Sequence, residues 1–195
     1  MNRKVIILFG LKHSGKSTLG KELAKKLGWN FVDTDYEIER AEGMSVRDLY
    51  NNKGANAFLL AEEEACKRLA AQASSEKIVI STGGGICDNP PALLQLKSAG
   101  NFVFLKNDLM VSVGRIVKKI GIDEKGGFVG IPAFIRSQNP TSIEDIKEKL
   151  CIKFKERAEL YEKISDLTVE IPNASIEENA NHLYEAVTKG LLSED

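Results

Sequence analysis

Gly10-Leu11-Lys12-His13-Ser14-Gly15-Lys16-Ser17-Thr18 decides the fold of this chain. An apolar run, Val5-Ile6-Ile7-Leu8-Phe9, precedes it, and a helical pattern, Leu19-Gly20-Lys21-Glu22-Leu23-Ala24-Lys25-Lys26-Leu27, follows. Strand, glycine-bounded loop and helix in that order are the setting of a Walker A phosphate-binding loop. Gly10 and Gly15 let the backbone close round an anion where a Cβ would intrude. The amides from Ser14 to Thr18 and the positive end of the helix then face phosphate oxygens. Lys16 would neutralise the β- and γ-phosphates of ATP, and Ser17 would offer its hydroxyl to Mg²⁺. Lys16 is expected to touch only phosphates and to stand in solvent when the loop is empty.

Working outward, further short apolar runs predict strands at 30–33, 77–81, 102–106 and 167–171. Helical patterns fall at 16–27, 35–42, 45–51, 56–73, 90–98, 108–119, 142–164 and 175–190. Ser45, Asp108, Pro90-Pro91 and Ser142 with Asp145 mark helix starts. Unbroken runs such as Ile78-Val79-Ile80 suit parallel strands covered on both faces. The reading is an α/β fold built round a P-loop, a parallel five-stranded sheet with helices on both faces. Residues 1–195 read as one domain. One segment breaks the pattern: 118–141 carries Gly121, Gly126, Gly127, Gly130, Pro132 and Pro140, and reads as a structureless mobile lid over the nucleotide.

A chain of 195 residues can bury a core without metals or disulfides. Its net charge of −1 argues against a broad electrostatic grip on nucleic acid or anionic membrane. The five apolar residues near the N-terminus are too few for a signal peptide or a membrane span. Cys66, Cys87 and Cys151 are odd in number and widely spaced, so they read as free thiols, and the cytoplasm is the expected compartment. A small-molecule substrate and a monomer are expected.

Phe31-Val32-Asp33-Thr34-Asp35 puts two carboxylates at the C-terminal end of the second strand, beside the phosphate loop. One of the pair can help hold Mg²⁺, and the other can orient an acceptor hydroxyl and take its proton. An N-cap in a solvated turn is the plain alternative. Ser81-Thr82-Gly83-Gly84-Gly85 ends another strand, where consecutive glycines suit close approach of backbone amides to a small polar ligand. That strand ends in Ser81 rather than the acid of many Walker B strands, so metal binding leans on Ser17 and the Asp33/Asp35 pair. Glu62-Glu63-Glu64 reads as a solvated helix face, with Glu62 able to orient a basic neighbour. His182 reads as a surface residue, Trp29 as packing, and Lys118-Lys119 as helix-end charges.

These residues together resemble the shikimate kinases, within the wider group of small P-loop kinases. The resemblance rests on Gly10…Gly15-Lys16-Ser17-Thr18, Asp33-Thr34-Asp35, Gly43-Met44-Ser45, Gly54…Phe58…Glu62, Ser81 to Gly85, and Arg157…Leu160-Tyr161. It implies ATP-dependent phosphorylation of a shikimate hydroxyl, a step in aromatic amino acid biosynthesis. It gives Asp35 the contact with that hydroxyl, Gly83, Gly84 and Gly85 the substrate side, Arg157 the substrate carboxylate, and Arg115 the adenine, which leaves Asp33 as the metal-side member of the pair.

The chain departs from the family pattern at three places. The family has an arginine after the phenylalanine of Gly-Glu-x-x-Phe-Arg, whereas this chain has Phe58-Leu59 and lacks the glutamate as well. The lid motif Arg-Pro-Leu-Leu becomes Ile131-Pro132-Ala133-Phe134, with Arg136 and Lys125 as candidate replacements for its arginine. His13 stands where the family prefers glycine, and the loop is expected not to require glycine there. These departures leave two alternatives beside shikimate: a diverged kinase for another carbohydrate or metabolite, or a nucleotide-binding protein that has lost catalysis.

Overall fold

Val5–Phe9 (β1) leaves no side for water, since all five of its residues are buried, and it therefore occupies the middle of the sheet. The computed structural model describes residues 4–124 and 126–193. After β1 come α1 (Lys16–Leu27), β2 (Asn30–Asp33), α2 (Thr34–Glu42), α3 (Val46–Gln72) and β3 (Ile78–Ser81). Next are α4 (Pro90–Lys97), β4 (Asn101–Lys106) and α5 (Leu109–Val117). A small antiparallel hairpin, β5 (Gly121–Ile122) with β6 (Phe128–Val129), leads to the one-turn α6 (Ala133–Arg136). The chain closes with α7 (Ile143–Ile164), β7 (Leu167–Glu170) and α8 (Ile176–Val187).

The main sheet runs β2-β3-β1-β4-β7, parallel throughout. Alternation along β1 sends Val5, Ile7 and Phe9 to a core shared with Leu69 of α3 and Phe154 of α7. Ile6 and Leu8 face the opposite core, with Leu23 of α1 and Leu183 of α8. Trp29 packs against this second core. Both faces are thus covered, as the unbroken apolar strands imply. Tyr161 of α7 meets the Phe9 ring edge-on at 4.9 Å, which fixes α7, and Arg157 one turn earlier, against the sheet's C-terminal edge.

Helix starts follow the cap signals. Ser45, Asp108 and Ser142 accept from the amides of Asp48, Met110 and Asp145, and Pro90 sits in a first turn capped by Asn89. Gly54, at φ 86, breaks α3 into the two helical patterns that the sequence separates. The segment 118–141 is not structureless. It holds the hairpin and α6, because Ile131 and Ile135 are buried in the core on the α7 side and pin the glycine-rich chain down. Cys66 and Cys87 are buried free thiols and Cys151 a half-buried one; burial pushes Cys66 up to about 12. Among the described residues no helix is long and apolar enough to cross a membrane.

Candidate active site

The phosphate loop is already arched over a cation. Lys16 is 7% exposed, and its Nζ donates to Gly10 O at 3.0 Å and Leu11 O at 2.9 Å, with Ser14 Oγ at 3.4 Å. The expectation of a solvent-exposed Lys16 is therefore corrected: the carbonyls before the bend take the place of an anion. Burial lowers its pKa to about 8, against the opposing charges of Asp35 and Asp33. Gly15 takes φ 94 immediately before α1. His13 has φ 64, so the loop enters the left-handed region there with a histidine where glycine would be less strained. Burial, then Lys119, Lys12, Lys16 and Arg115, lowers His13 to about 4, leaving it neutral near pH 7. Arg115 donates to His13 O at 2.5 Å and so ties α5 to the loop.

The two aspartates differ in their partners. Ser17 Oγ donates to Asp33 Oδ2 at 2.6 Å, while Asp33 Oδ1 accepts from the Asp35 amide at 3.0 Å and caps α2. Cap and site residue are thus one side chain. Asp35 holds its proton above the usual carboxylate range because of burial and the neighbouring Asp33 charge, with Lys16 and Lys12 opposing.

The three glycines make room for the protein's own groups. A Cβ on Gly83 would stand 3.0 Å from Asp35 Oδ1 and 3.2 Å from Glu62 Oε1. One on Gly84 would stand 2.8 Å from the Lys12 backbone, and one on Gly85 3.1 Å from the Arg157 guanidinium. The Gly83 amide donates to Thr34 Oγ1 at 3.1 Å rather than pointing at open space.

Glu62 corrects the reading of a solvated acidic face. It is 1% exposed and accepts from Asn89 Nδ2 at 2.9 Å; burial, only partly offset by that bond, pushes its pKa up to about 7. The signal was in the spacing, since Phe58, Glu62, Cys66 and Leu69 fall on one helical stripe while Glu63 and Glu64 do not. Arg157 is buried too. It bonds Asp88 Oδ2 at 2.7 Å and Gly84 O at 3.2 Å, and its guanidinium lies 4.4 Å from the centre of the Phe134 ring. Asp88 carried no sequence signal. Partial burial opposes its ionisation, but the bonds and charges of Arg157 and Lys153 hold it below the usual range.

Three cavities join along the sheet edge. One of about 1030 Å³ is lined by Thr18, Asn107, Pro172 and His182, so His182 borders a cavity although it is exposed. It shares Gly15, Thr18 and Arg115 with a cavity of about 470 Å³ that holds Lys16, Ser17, Asp33, Asp35 and Gly84. That one shares Lys12, His13 and Asp35 with a third, of about 310 Å³, walled by Arg47, Tyr50, Phe58 and Arg136. Lys119 also lines the third cavity and is more than a helix-end charge. Arg136 borders the third cavity and not the phosphate-side one. Leu59, Gly83, Gly85 and Arg157 line none of the three. Lys125 lies outside the described residues.

A phosphate loop, two carboxylates beside it and a second chamber across one of them define a small-molecule kinase of the P-loop fold. Comparison with known proteins narrows the class. The shikimate kinase family model matches residues 12–188. A shikimate kinase of Clostridium botulinum is 32% identical over 94% of this chain and 96% of its own length. The structure of the shikimate kinase of Acinetobacter baumannii, in complex with shikimate, superposes with a TM-score of 0.75 at 25% identity, covering 97% of this chain and 95% of that one. The Aquifex aeolicus shikimate kinase gives 0.70 at 28% identity, covering 97% and 99%. The chain belongs to the shikimate kinase family and is a small-molecule kinase that takes its phosphoryl group from ATP.

Proposed function

We propose that this chain transfers the terminal phosphoryl group of ATP to a ring hydroxyl of shikimate, and that the residues described above do so in the following roles. One observation carries the reading: Asp35 lines both the phosphate-side cavity and the third cavity, and so can serve a phosphate on one side and an acceptor on the other. The largest cavity takes the nucleoside, with Arg115 at its mouth beside the adenine. The amides from Gly10 through Thr18 and the Lys16 ammonium hold the β- and γ-phosphates, the ammonium exchanging its carbonyl partners for phosphate oxygens. Asp35 accepts the hydrogen bond of the acceptor hydroxyl and orients it in line. As the bond from acceptor oxygen to phosphorus forms and the bond to ADP breaks, the hydroxyl proton passes to Asp35, whose raised proton affinity suits the task. Gly83, Gly84 and Gly85 shape the acceptor side, and Arg157 supports it from behind.

Mg²⁺ fits the donors present. Ser17 Oγ and Asp33 Oδ2 lie 2.6 Å apart at the phosphate-side cavity, and this ion commonly keeps its waters and takes only one or two protein oxygens beside the phosphates. Bound there, it would neutralise charge developing on the phosphate oxygens. Residues 118–141 act as the lid that excludes water. We further propose that residues 1–195 work as one domain, as a cytoplasmic monomer in aromatic amino acid biosynthesis.

The test is a coupled ADP-release assay over a panel of hydroxyl acceptors. Turnover is expected on shikimate. Turnover on another acceptor alone, or ATP binding with no turnover at all, would replace the reading.

A further inference from the structure

The acceptor chamber holds more positive charge than the phosphates use. Four cationic side chains, Lys12, Arg47, Lys119 and Arg136, line it against the single carboxylate of Asp35. Among the described residues, none of the four has a hydrogen bond or ion pair to its side chain. Position 59, where an arginine would complete the family pattern, is a leucine that does not line the chamber. Arg157, the other expected grip, is paired with Asp88 and stacked on Phe134.

We propose that Lys12 and Arg47 are the anion grip of this chamber and hold the acceptor's carboxylate, a role that rests on the functional reading above. Lys12 is rigidly rooted, because the Gly84 backbone packs against its N and Cα so closely that a Cβ would come within 2.8 Å. Its side chain is exposed into the space shared by the phosphate-side and acceptor cavities. Arg47 is aimed by the start of α3, which Ser45 caps and whose Val46 amide donates to Glu39 Oε1 at 3.0 Å. The two cations are close enough to disfavour each other: burial first, then Arg47, Lys119 and Arg157, lower the Lys12 pKa, with Asp35 opposing. An anion between them relieves that repulsion. Tyr50 and Phe58, with ring centres 6.2 Å apart, wall the chamber with apolar surface. The chamber thus offers apolar faces for a small ring, cations for a carboxylate and Asp35 for a hydroxyl. A compact hydroxy acid meets all three.

Two measurements test the proposal. In steady-state turnover, Arg47→Ala and Lys12→Met should each raise KM for shikimate about tenfold or more, the range for a lost charge-assisted bond. kcat should fall by less than KM rises, and Arg47→Lys should recover part of the loss. The preference for shikimate over its carboxamide should collapse in both alanine- and methionine-substituted proteins. If both variants keep that preference while wild type turns over shikimate, the grip lies elsewhere and the functional reading stands. The second measurement needs no turnover: thermal stabilisation by cyclohex-1-ene-1-carboxylate, with a non-hydrolysable ATP analogue present. Wild type should be stabilised and Arg47→Ala not. Stabilisation lost in Arg47→Ala, with no shikimate turnover by wild type, would uphold the grip and overturn the substrate. Equal stabilisation of both proteins, or of neither, would overturn the grip.

Discussion

Arg157 and Asp88 are joined at 2.7 Å by parts of the chain 69 residues apart, and the pair settles which charge near the acceptor is free. The arginine side chain is 6% exposed and the aspartate 36%, so the guanidinium depends on its partner more than the carboxylate does. Lys153 also reaches Asp88, at 3.1 Å. Any substrate anion approaching Arg157 must share it. Asp88→Asn should leave the buried guanidinium unbalanced and lower stability by about 1–2 kcal/mol, less than for a fully buried pair because the aspartate is partly solvated. The same variant should leave the thermal shift on adding shikimate unchanged, since Arg157 lines none of the three cavities. Denaturation with and without shikimate reads both effects; a larger shift would show that the freed Arg157 reaches the substrate.

Lys16→Ala should lower phosphoryl transfer about a hundredfold or more, the usual scale for removing an electrostatic stabiliser of the transition state. It should also loosen the loop, because Gly10 O and Leu11 O lose their donor. The pH dependence has a definite sign. Burial holds Lys16 at about 8, below its ordinary 10.5, and phosphate favours its charged form. ATP affinity should therefore decline above pH 8, by at most about tenfold per unit. Calorimetric titration with ATP from pH 7 to 9.5 would show the fall, and a flat profile would remove Lys16 from the phosphates.

Asp35→Asn should keep ATP affinity within a few-fold and cut the chemical rate by about two orders of magnitude, if the residue that lines both cavities takes the acceptor's proton as proposed. Single-turnover kinetics with saturating ATP separate the two. Weakened ATP binding with an intact rate would exchange the roles of Asp33 and Asp35.

The parts of the fold legible in the sequence were those carried by local pattern. Buried strands are apolar along their whole length, as in Val5–Phe9, and caps such as Ser45 and Ser142 announce helices within a turn. That Lys16, Ser17, Asp33 and Asp35 gather round one cavity was legible for the same reason, because they sit at fixed offsets from glycines and strand ends. What was missed depends on contacts between distant segments. Glu62 looks like its solvated neighbours until the stripe through Phe58 and Cys66 is drawn. Asp88 matters only because α7 brings Arg157 to it. Lys12 looks like a spare loop charge until α3 sets Arg47 across the same chamber. The positive φ of His13 was not legible, because it is set by the closure of the whole loop, which residue type alone does not reveal.

Glu62 gives stability an unusual slope with pH. Its folded pKa is near 7 against an ordinary 4.5, so between those values the folded chain keeps a proton that the unfolded chain releases. Stability should therefore fall as pH rises from about 4.5 through 7, by about 3 kcal/mol if the group acts alone. Glu62→Gln keeps the shape, removes the ionisation and should flatten that slope, leaving the variant the more stable of the two at pH 8. Urea melts of both proteins across pH 5 to 8 would show converging curves at the acid end. Parallel curves would mean that Glu62 stays ionised in the folded protein.

His13 offers the cleanest backbone test. At φ 64 an L-residue carries a steric penalty that glycine escapes, on the order of 1–2 kcal/mol. His13→Ala and His13→Gly both remove the imidazole, so the difference between them isolates the backbone. Glycine loses more conformational freedom on folding, by about 0.5–1 kcal/mol, which offsets part of its advantage. The glycine variant should therefore be the more stable by roughly 0.5–1 kcal/mol. It should also keep the carbonyl that receives Arg115 in place and hold ATP at least as well as the alanine variant. Equal stability of the two, or an advantage for alanine, would show that residue 13 leaves the left-handed region in solution.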